Sequence, residues 1–458
     1  MPPTPLLLAA AALSLALMAD LGLAILLGGL ARVFARAPRL RQGADAVEHT
    51  SLTVVIPAFN EAVNIEACLA SVLGCDPPCA DWRVLVVDDR STDATAALAA
   101  ATAERLGSPP GRFALLDAGA RPAGQRWVGK NWACSRAMEQ VSSDWVLFLD
   151  ADVRLAPATL RRALGQAVEE QADLFSLAPR LCCGCLAEWM VQPIMASLLG
   201  LGFPIEAAND PADPTAFAAG PFMLFRRSAY DAIGGHRALA GEVVEDLALA
   251  RRIKGGGLRL RYLLGVDAVD LRMYSDFAAL WEGWSKNWFA GLDRSVARAL
   301  GASAVVLLLF SGPWLLAGTA GTGLLWQRFA GPTALDPVPS PGFPAAATGM
   351  GDALHTLLRH GPRLPAWLLH GASGLEATLQ SSAATATLLL RLTLAAALLG
   401  IGLQLALRLW TRQRFQVPLT LWWLMGAGGL VVAALGPTSV WRSLTGRGWT
   451  WKGRSLAG

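Results

Sequence analysis

Asp144-Trp145-Val146-Leu147-Phe148-Leu149-Asp150-Ala151-Asp152 is the stretch on which the fold turns. Its apolar run has no alternation, which suits a strand buried on both faces, as in a parallel sheet between helices. The run stops at two aspartates one residue apart. In open α/β sheets the carboxyl edge of the strands is where ligands bind. Two carboxylates there suit a hard divalent cation, which can in turn hold a diphosphate.

Working outward, Leu52-Thr53-Val54-Val55-Ile56 reads as a short buried strand stopped by Pro57, and Val84-Leu85-Val86-Val87 as a second, ending in Asp88-Asp89. Asn60 has the chemistry of an N-cap for a helix over 61–73, with Glu61 in its first turn. Ser91-Thr92-Asp93 opens an alanine-rich helix over 94–106. This order implies parallel strands with right-handed crossovers. A third strand is expected over 113–116. Residues 50–290 therefore read as one α/β domain.

The rest of the chain is different. Over 458 residues, 53% are apolar and only 16% charged, with a mean hydropathy of +0.41. That is too apolar for a purely soluble enzyme. The excess lies in 6–34, 296–326, 383–410 and 417–440, each able to cross a hydrocarbon core that takes about 20 helical residues. The first run lacks a basic leader ahead of it and exceeds the length of a cleavable one, so 1–35 reads as a retained anchor. Arg32, Arg36, Arg39 and Arg41 follow it and place the domain on the cytoplasmic side. A C-terminal membrane region is expected over 296–440, with a loop over 327–382 and a basic tail over 441–458 carrying Arg442, Arg447, Lys452 and Arg454. Three spans after the domain would put that tail outside, against the positive-inside tendency. A cytoplasmic tail is favoured, and the number of spans stays open. The expected location is the inner (cytoplasmic) membrane of a bacterium. A net charge of +4 gives no reason to expect nucleic acid, and the basic residues flanking the spans suit anionic lipid head groups.

Seven cysteines (68, 75, 79, 134, 182, 183 and 185) should be reduced in a cytoplasmic domain. Cys182-Cys183-Gly184-Cys185 has no second pair or histidine at zinc-finger spacing. The apolar segment 185–203, with Trp189, Met190, Ile194, Met195, Leu198 and Leu199 at helical spacing, fits either a core helix or one lying on the membrane near the site.

Four motifs occur in order: Val55-Ile56-Pro57-Ala58-Phe59-Asn60-Glu61, Val87-Asp88-Asp89-Arg90-Ser91-Thr92-Asp93, Asp150-Ala151-Asp152, and Glu245-Asp246 within Gly241-Glu242-Val243-Val244-Glu245-Asp246-Leu247-Ala248. Together they resemble family 2 glycosyltransferases of the GT-A fold, over about residues 50–290. Gly129-Lys130-Asn131-Trp132-Ala133, Ala219-Gly220-Pro221-Phe222, Gly234-Gly235-His236, Arg272-Met273-Tyr274, Trp281-Glu282-Gly283-Trp284-Ser285-Lys286 and Trp449-Thr450-Trp451-Lys452-Gly453-Arg454 are similar to the membrane-bound enzymes associated with hopanoid and carotenoid glycosylation.

The resemblance implies an α/β, GT-A (Rossmann-like, mostly parallel sheet) domain flanked by transmembrane helices. It implies a nucleotide-sugar donor, with a UDP-sugar preferred. The backbone of Pro57, Ala58 and Phe59 would flank the base, with Glu61 in the same donor-binding turn. Asp89 would accept from the uracil N–H while Asp88 supports the turn; a plain solvated turn is the other reading. Asp152 would bind Mg2+ or Mn2+, with Asp150 binding directly or through water, and the ion would neutralise the departing diphosphate. Lys130 and Arg272 are candidate diphosphate or sugar contacts, although Arg272 also fits an ordinary surface charge. Asp246 is the candidate general base, taking a proton from an acceptor hydroxyl as it attacks the anomeric carbon with inversion. Glu245 would orient it or read the acceptor. Both acids also suit the first turn of a helix over 247–253.

His236 follows two glycines that suit a lid, and serves either as a structural hydrogen bonder or as an acceptor contact. Trp281, Trp284 and Trp288 share a helix face and suit an interfacial aromatic belt or a sugar or lipid platform. Processive synthases of this family carry a Q/R-x-x-R-W motif. Here Trp284-Ser285-Lys286-Asn287-Trp288 keeps only the last tryptophan. The expected activity is therefore transfer of a single hexose to a hydroxyl of a membrane lipid such as a carotenoid or hopanoid. The alternatives are a polyprenyl-phosphate sugar transferase and a processive polysaccharide synthase.

Overall fold

A computed structural model describes residues 5–43, 45–330, 366–415, 417–446, 450–451 and 454–455. The strands of the α/β domain are β1 (Ser51–Ala58), β2 (Asp81–Asp88), β3 (Phe113–Asp117), β4 (Trp145–Leu149), β5 (Val153–Leu155), β6 (Leu174–Ala178), β7 (Arg180–Leu181), β8 (Phe222–Arg226), β9 (Leu260–Leu264) and β10 (Val269–Leu271). Seven form one sheet in the order β3-β2-β1-β4-β8-β6-β9, and β5-β10-β7 form a small second sheet. The large sheet is parallel except for β8, which runs against both β4 and β6.

The unalternating runs have the meaning expected of them. Val54, Ile56, Val84, Val86, Leu147 and Leu149 enter one hydrophobic core, while Val55, Leu85, Val87, Val146 and Phe148 enter another. Successive side chains point to opposite faces, and both faces are covered, so every position is apolar.

Two local expectations change. β1 continues through Pro57 to Ala58, because its pairing with β4 ends at Val55 and the missing proline N–H breaks no ladder bond. Asn60 caps no helix. The following helix begins at Ile65, and residues 61–65 form a turn in which the Glu61 carbonyl accepts from the N–H of Asn64 and of Ile65, both at 2.8 Å. Asn60 instead has a left-handed backbone (φ 52°), and its Oδ1 accepts from the Thr92 N–H at 2.9 Å, tying the first motif to the second.

Among the described residues, four helices are long and apolar enough to cross a membrane: Leu6–Ala35, Val296–Phe329, Ala384–Phe415 and Trp422–Leu444. Helix runs through Ala330 and resumes at Ala366, so the 327–382 connection is shorter at both ends than the sequence suggested. Residues 331–365 lie outside the described set, as do Arg447, Trp449 and Lys452 of the tail. The chain divides into two compact units, 1–22 with 312–403, and 23–311 with 404–458.

Within the second unit, the segment after the first span is stitched to the domain. The Leu40 N–H donates to the Leu264 carbonyl at 3.0 Å, and the Leu264 N–H to the Pro38 carbonyl at 2.9 Å. Arg41 pairs with Glu169 and Glu170 at 2.8 and 2.9 Å, a protein contact where lipid was expected.

The Met425–Leu444 helix packs against the Leu186–Gly202 and Phe277–Gly291 helices through small residues. A Cβ at Gly428 would lie 2.0 Å from the Met190 carbonyl oxygen, and one at Gly436 2.9 Å from that of Ala299. Gly428→Ala should therefore cost about 1–3 kcal/mol through overpacking. Thermal melts of the detergent-purified protein would show it as a lower Tm. An unchanged Tm would mean that these helices do not meet this closely.

The same packing corrects the tryptophan reading. Trp284 and Trp288 are buried, and their N–H groups donate to Gln192 Oε1 at 3.0 Å and the Ala299 carbonyl at 3.2 Å. With both indole N–H groups satisfied inside the protein, neither ring forms an exposed belt. The Leu186–Gly202 helix buries one face, with Glu188, Val191, Gln192 and Met195, against the protein.

Candidate active site

The carboxyl edge of the parallel strands gathers the motif residues. β2 ends at Asp88, whose Oδ2 accepts from the Ser91 N–H at 3.1 Å and so closes the turn. The Asp89 N–H donates to the Ala58 carbonyl at 2.8 Å, which sets the Pro57–Phe59 backbone beside the Asp89 turn. Asp89 is buried, and its Oδ2 pairs with Arg121 Nη2 at 2.6 Å. A Cβ at Gly129 would lie 2.8 Å from that same oxygen, so the glycine leaves room for the carboxylate.

β4 delivers Asp150 and Asp152. Because β8 is reversed, its amino end lies at this same edge, and the Asp150 N–H donates to the Pro221 carbonyl at 3.2 Å. Lys130 Nζ lies between two carboxylates, 2.7 Å from Asp150 Oδ1 and 2.7 Å from Glu245 Oε1. Burial pulls its ammonium down, but the two acids outweigh burial and hold it well above the usual range. Burial pushes Glu245 up, yet Lys130 prevails and holds it low. Asp152 is pushed well above the carboxylate range by burial and then by Asp150 and Glu61, and its Oδ1 is buried with no hydrogen-bond partner.

Asp246 opens the Glu245–Gly255 helix. Its Oδ2 accepts from the Gly220 N–H at 3.2 Å and its Oδ1 from the Leu247 N–H at 2.8 Å. Burial, followed by repulsion from Glu245, pushes it up to about 6. A Cβ at Gly220 would lie 2.8 Å from Asp246 Oδ2, so only glycine admits the carboxylate there.

Asp89, Asp150 and Asp152 thus follow strand ends, while Lys130, Glu245 and Asp246 come from the first turns of the Gly129–Met138 and Glu245–Gly255 helices. Two candidates sit differently. His236 is buried, accepts or donates at Nδ1 with Tyr230 Oη at 2.8 Å, and is pulled down to about 3 by burial. That geometry suits the structural reading of His236. The Arg272 side chain lies over Gly184, 3.8 Å from Glu188, while its backbone N–H donates to the Asp152 carbonyl at 3.4 Å.

Sequence reasoning missed Arg121, which sits in a loop with no motif. It also missed the task of Asn131, whose amide donates to the Leu239 and Glu242 carbonyls at 2.6 and 2.9 Å. Those bonds fix the loop that leads into Glu245-Asp246. Its place inside Gly-Lys-Asn-Trp was the only signal.

The described residues present no group of three or more His, Cys, Asp or Glu side chains able to hold a metal by themselves. Two carboxylates with an unpartnered oxygen nonetheless fit an ion that takes its remaining ligands from water and phosphate, as Mg2+ usually does.

A mostly parallel sheet with one reversed strand and an acidic carboxyl edge is the GT-A arrangement, accompanied by apolar helices that point to membrane association, and the family match makes the chain a glycosyltransferase. Residues 53–234 match the model for glycosyl transferase family 2, and the chain carries that domain. The match stops before Glu245 and Asp246. The chain is similar to the 4,4'-diaponeurosporenoate glycosyltransferase of Staphylococcus aureus, 27% identical over 283 residues that cover 61% of this chain and 71% of the relative. Among solved structures it is similar to a mannosyltransferase of Pyrobaculum calidifontis in complex with GDP-Man and Mn2+ (20% identity, 86% of this chain and 99% of that one, TM-score 0.43). It is also similar to the glucosyl-3-phosphoglycerate synthase of Mycobacterium tuberculosis in complex with Mn2+, UDP and glucosyl-3-phosphoglycerate (19%, 56% and 79%, TM-score 0.33).

Proposed function

We propose that this enzyme transfers one hexose from a nucleotide-sugar, with a UDP-sugar preferred, to a hydroxyl of a membrane lipid of the carotenoid or hopanoid kind. The observation that carries the reading is Asp246: a carboxylate pushed up to about 6, held by two backbone N–H groups, on the same sheet edge as the Asp150–Asp152 pair. The four apolar helices and the similarity to a carotenoid glycosyltransferase support the lipid acceptor. The work would take place at the inner membrane, with the domain on the cytoplasmic side.

In this reading Pro57–Phe59 flank the base, Asp89 accepts its N–H, and Arg121 orients the Asp89 carboxylate. Asp150 and Asp152 would hold Mg2+ or Mn2+, which when bound supplies charge neutralisation to the leaving diphosphate. Lys130 holds Asp150 and Glu245 in place and favours their charged forms, prevailing over burial at Glu245 but not at Asp150. Asp246 takes the acceptor proton, and attack from the opposite side of the anomeric carbon inverts it.

Arg121→Ala should loosen Asp89 and weaken UDP binding roughly tenfold, the worth of one charge-assisted hydrogen bond. Isothermal titration with UDP reads this directly, and unchanged affinity would remove Arg121 from base recognition.

The deciding experiment for the function is mass spectrometry of lipid extracts from cells with an active copy and with an Asp246→Asn copy. A lipid one hexose heavier, present only with the active copy, is expected. Long glycan chains would instead indicate a processive synthase, and glycosylated polyprenyl phosphate would indicate the other alternative.

A further inference from the structure

Arg408 is the largest fully buried side chain among the described residues, at 1% exposure. It lies near the end of the Ala366–Phe415 helix. Among the described residues, one Nη2 hydrogen bond to the Thr420 carbonyl, long at 3.4 Å, is the only one its side chain makes. Nε and Nη1 are buried without any partner, and no carboxylate of the described residues pairs with the group. Its Cζ sits 5.2 Å from the centre of the Trp189 ring. A guanidinium stays charged in any protein setting, and a buried one is tolerated only when an anion or a full set of acceptors meets it. Here the protein supplies one carbonyl and one aromatic face.

The neighbourhood is suited to an anion that arrives with apolar chains. Arg412 and Arg414 follow within two turns, and a cavity of about 590 Å³ beside Arg408's partner Thr420 is lined by Arg412, Pro418, Leu419 and Thr420. The helix that carries Arg408 is itself apolar enough to span a bilayer. Basic pockets between such helices bind lipid head groups.

We infer that Arg408, with Trp189 and the 417–420 loop, forms a binding site for the phosphate of an anionic phospholipid, which supplies the counter-charge the protein lacks. The site has a structural route to the sheet edge. Trp189 follows Glu188, whose Oε1 accepts from the Tyr274 N–H at 3.0 Å, and the Arg272 N–H two residues earlier meets the Asp152 carbonyl. A lipid seated on Trp189 and Arg408 therefore braces the helix that holds the Arg272–Tyr274 segment. This inference does not depend on which sugar or acceptor the enzyme uses.

The test uses the full chain in nanodiscs of phosphatidylcholine alone and of phosphatidylcholine with phosphatidylglycerol. For wild type, phosphatidylglycerol should raise Tm and remain bound in native mass spectra after transfer to detergent. Arg408→Gln should lose roughly tenfold in retained phosphatidylglycerol and show no lipid-dependent Tm shift. In phosphatidylcholine alone, Arg408→Gln should melt no lower than wild type, because an unpaired buried charge has been removed. Arg412→Gln, at the exposed rim of the cavity, should lose less retained lipid than Arg408→Gln. Inorganic phosphate should not reproduce the Tm shift; if it does, the site takes a free anion and the lipid assignment fails. Equal phosphatidylglycerol retention by wild type and Arg408→Gln, or no retention by either, overturns the inference even if a variant proves hard to purify, since wild type alone tests retention.

Discussion

Asp246→Asn should lower sugar transfer by about 10²–10⁴-fold, the usual worth of a positioned base. The side chain sits against the Gly220 and Leu247 N–H groups, so the asparagine keeps the shape but cannot take a proton. UDP affinity should be unchanged, because Asp89 and Asp150–Asp152 are untouched. The pH dependence follows from the same residue. Burial and Glu245 raise Asp246 to about 6, and a base works only when ionised. The rate should therefore fall on the acid side of pH 6, approaching tenfold per unit, and level off above it. Transfer of labelled sugar into a lipid-soluble product across pH 5–8 measures both effects. Undiminished transfer by the variant would mean that the acceptor is already an anion, such as a phosphate or carboxylate, and needs no base.

Asp152→Asn should be nearly as damaging, by about 10²–10⁴-fold, if a divalent ion bound there contributes several kcal/mol to leaving-group departure. Its stability effect has the opposite sign. Asp152 holds its proton more tightly when folded than when unfolded, so its cost to folding grows as pH rises past the unfolded value and is complete above the folded one. At pH 7.5 in chelator, Asp152→Asn should melt at or above the wild-type temperature. Adding Mn2+ should raise the wild-type Tm, since the ion binds the folded form, and leave the variant flat. Equal Mn2+ responses from the two proteins would remove Asp152 from the metal site. Transfer that survives chelation would remove the metal itself.

Much of this domain was legible because its signals are local. Unalternating apolar runs gave β1, β2 and β4, the last two ending in aspartate, since a strand with both faces covered has no polar side. The Asn60 cap failed because a left-handed turn and a long-range bond to Thr92 competed with the helix start, and spacing carries no sign of such a bond. The tryptophans near 284 failed for a related reason: aromatic spacing reports a shared helix face, and the partners of that face, Gln192 and the Met425–Leu444 helix, lie far off in the chain.

The sequence by itself determined the α/β class, the four apolar segments and the acidic residues that end the strands. Each depends on side-chain chemistry within a few neighbouring residues. Only the tertiary structure decided that β8 runs backwards, and with it that Gly220 meets Asp246 and Pro221 meets Asp150. It alone placed Lys130 between Asp150 and Glu245, Arg121 on Asp89, and Arg408 out of water without an anion. Those facts arise where distant segments meet, and the charge balance of a site is a property of the meeting rather than of any one segment.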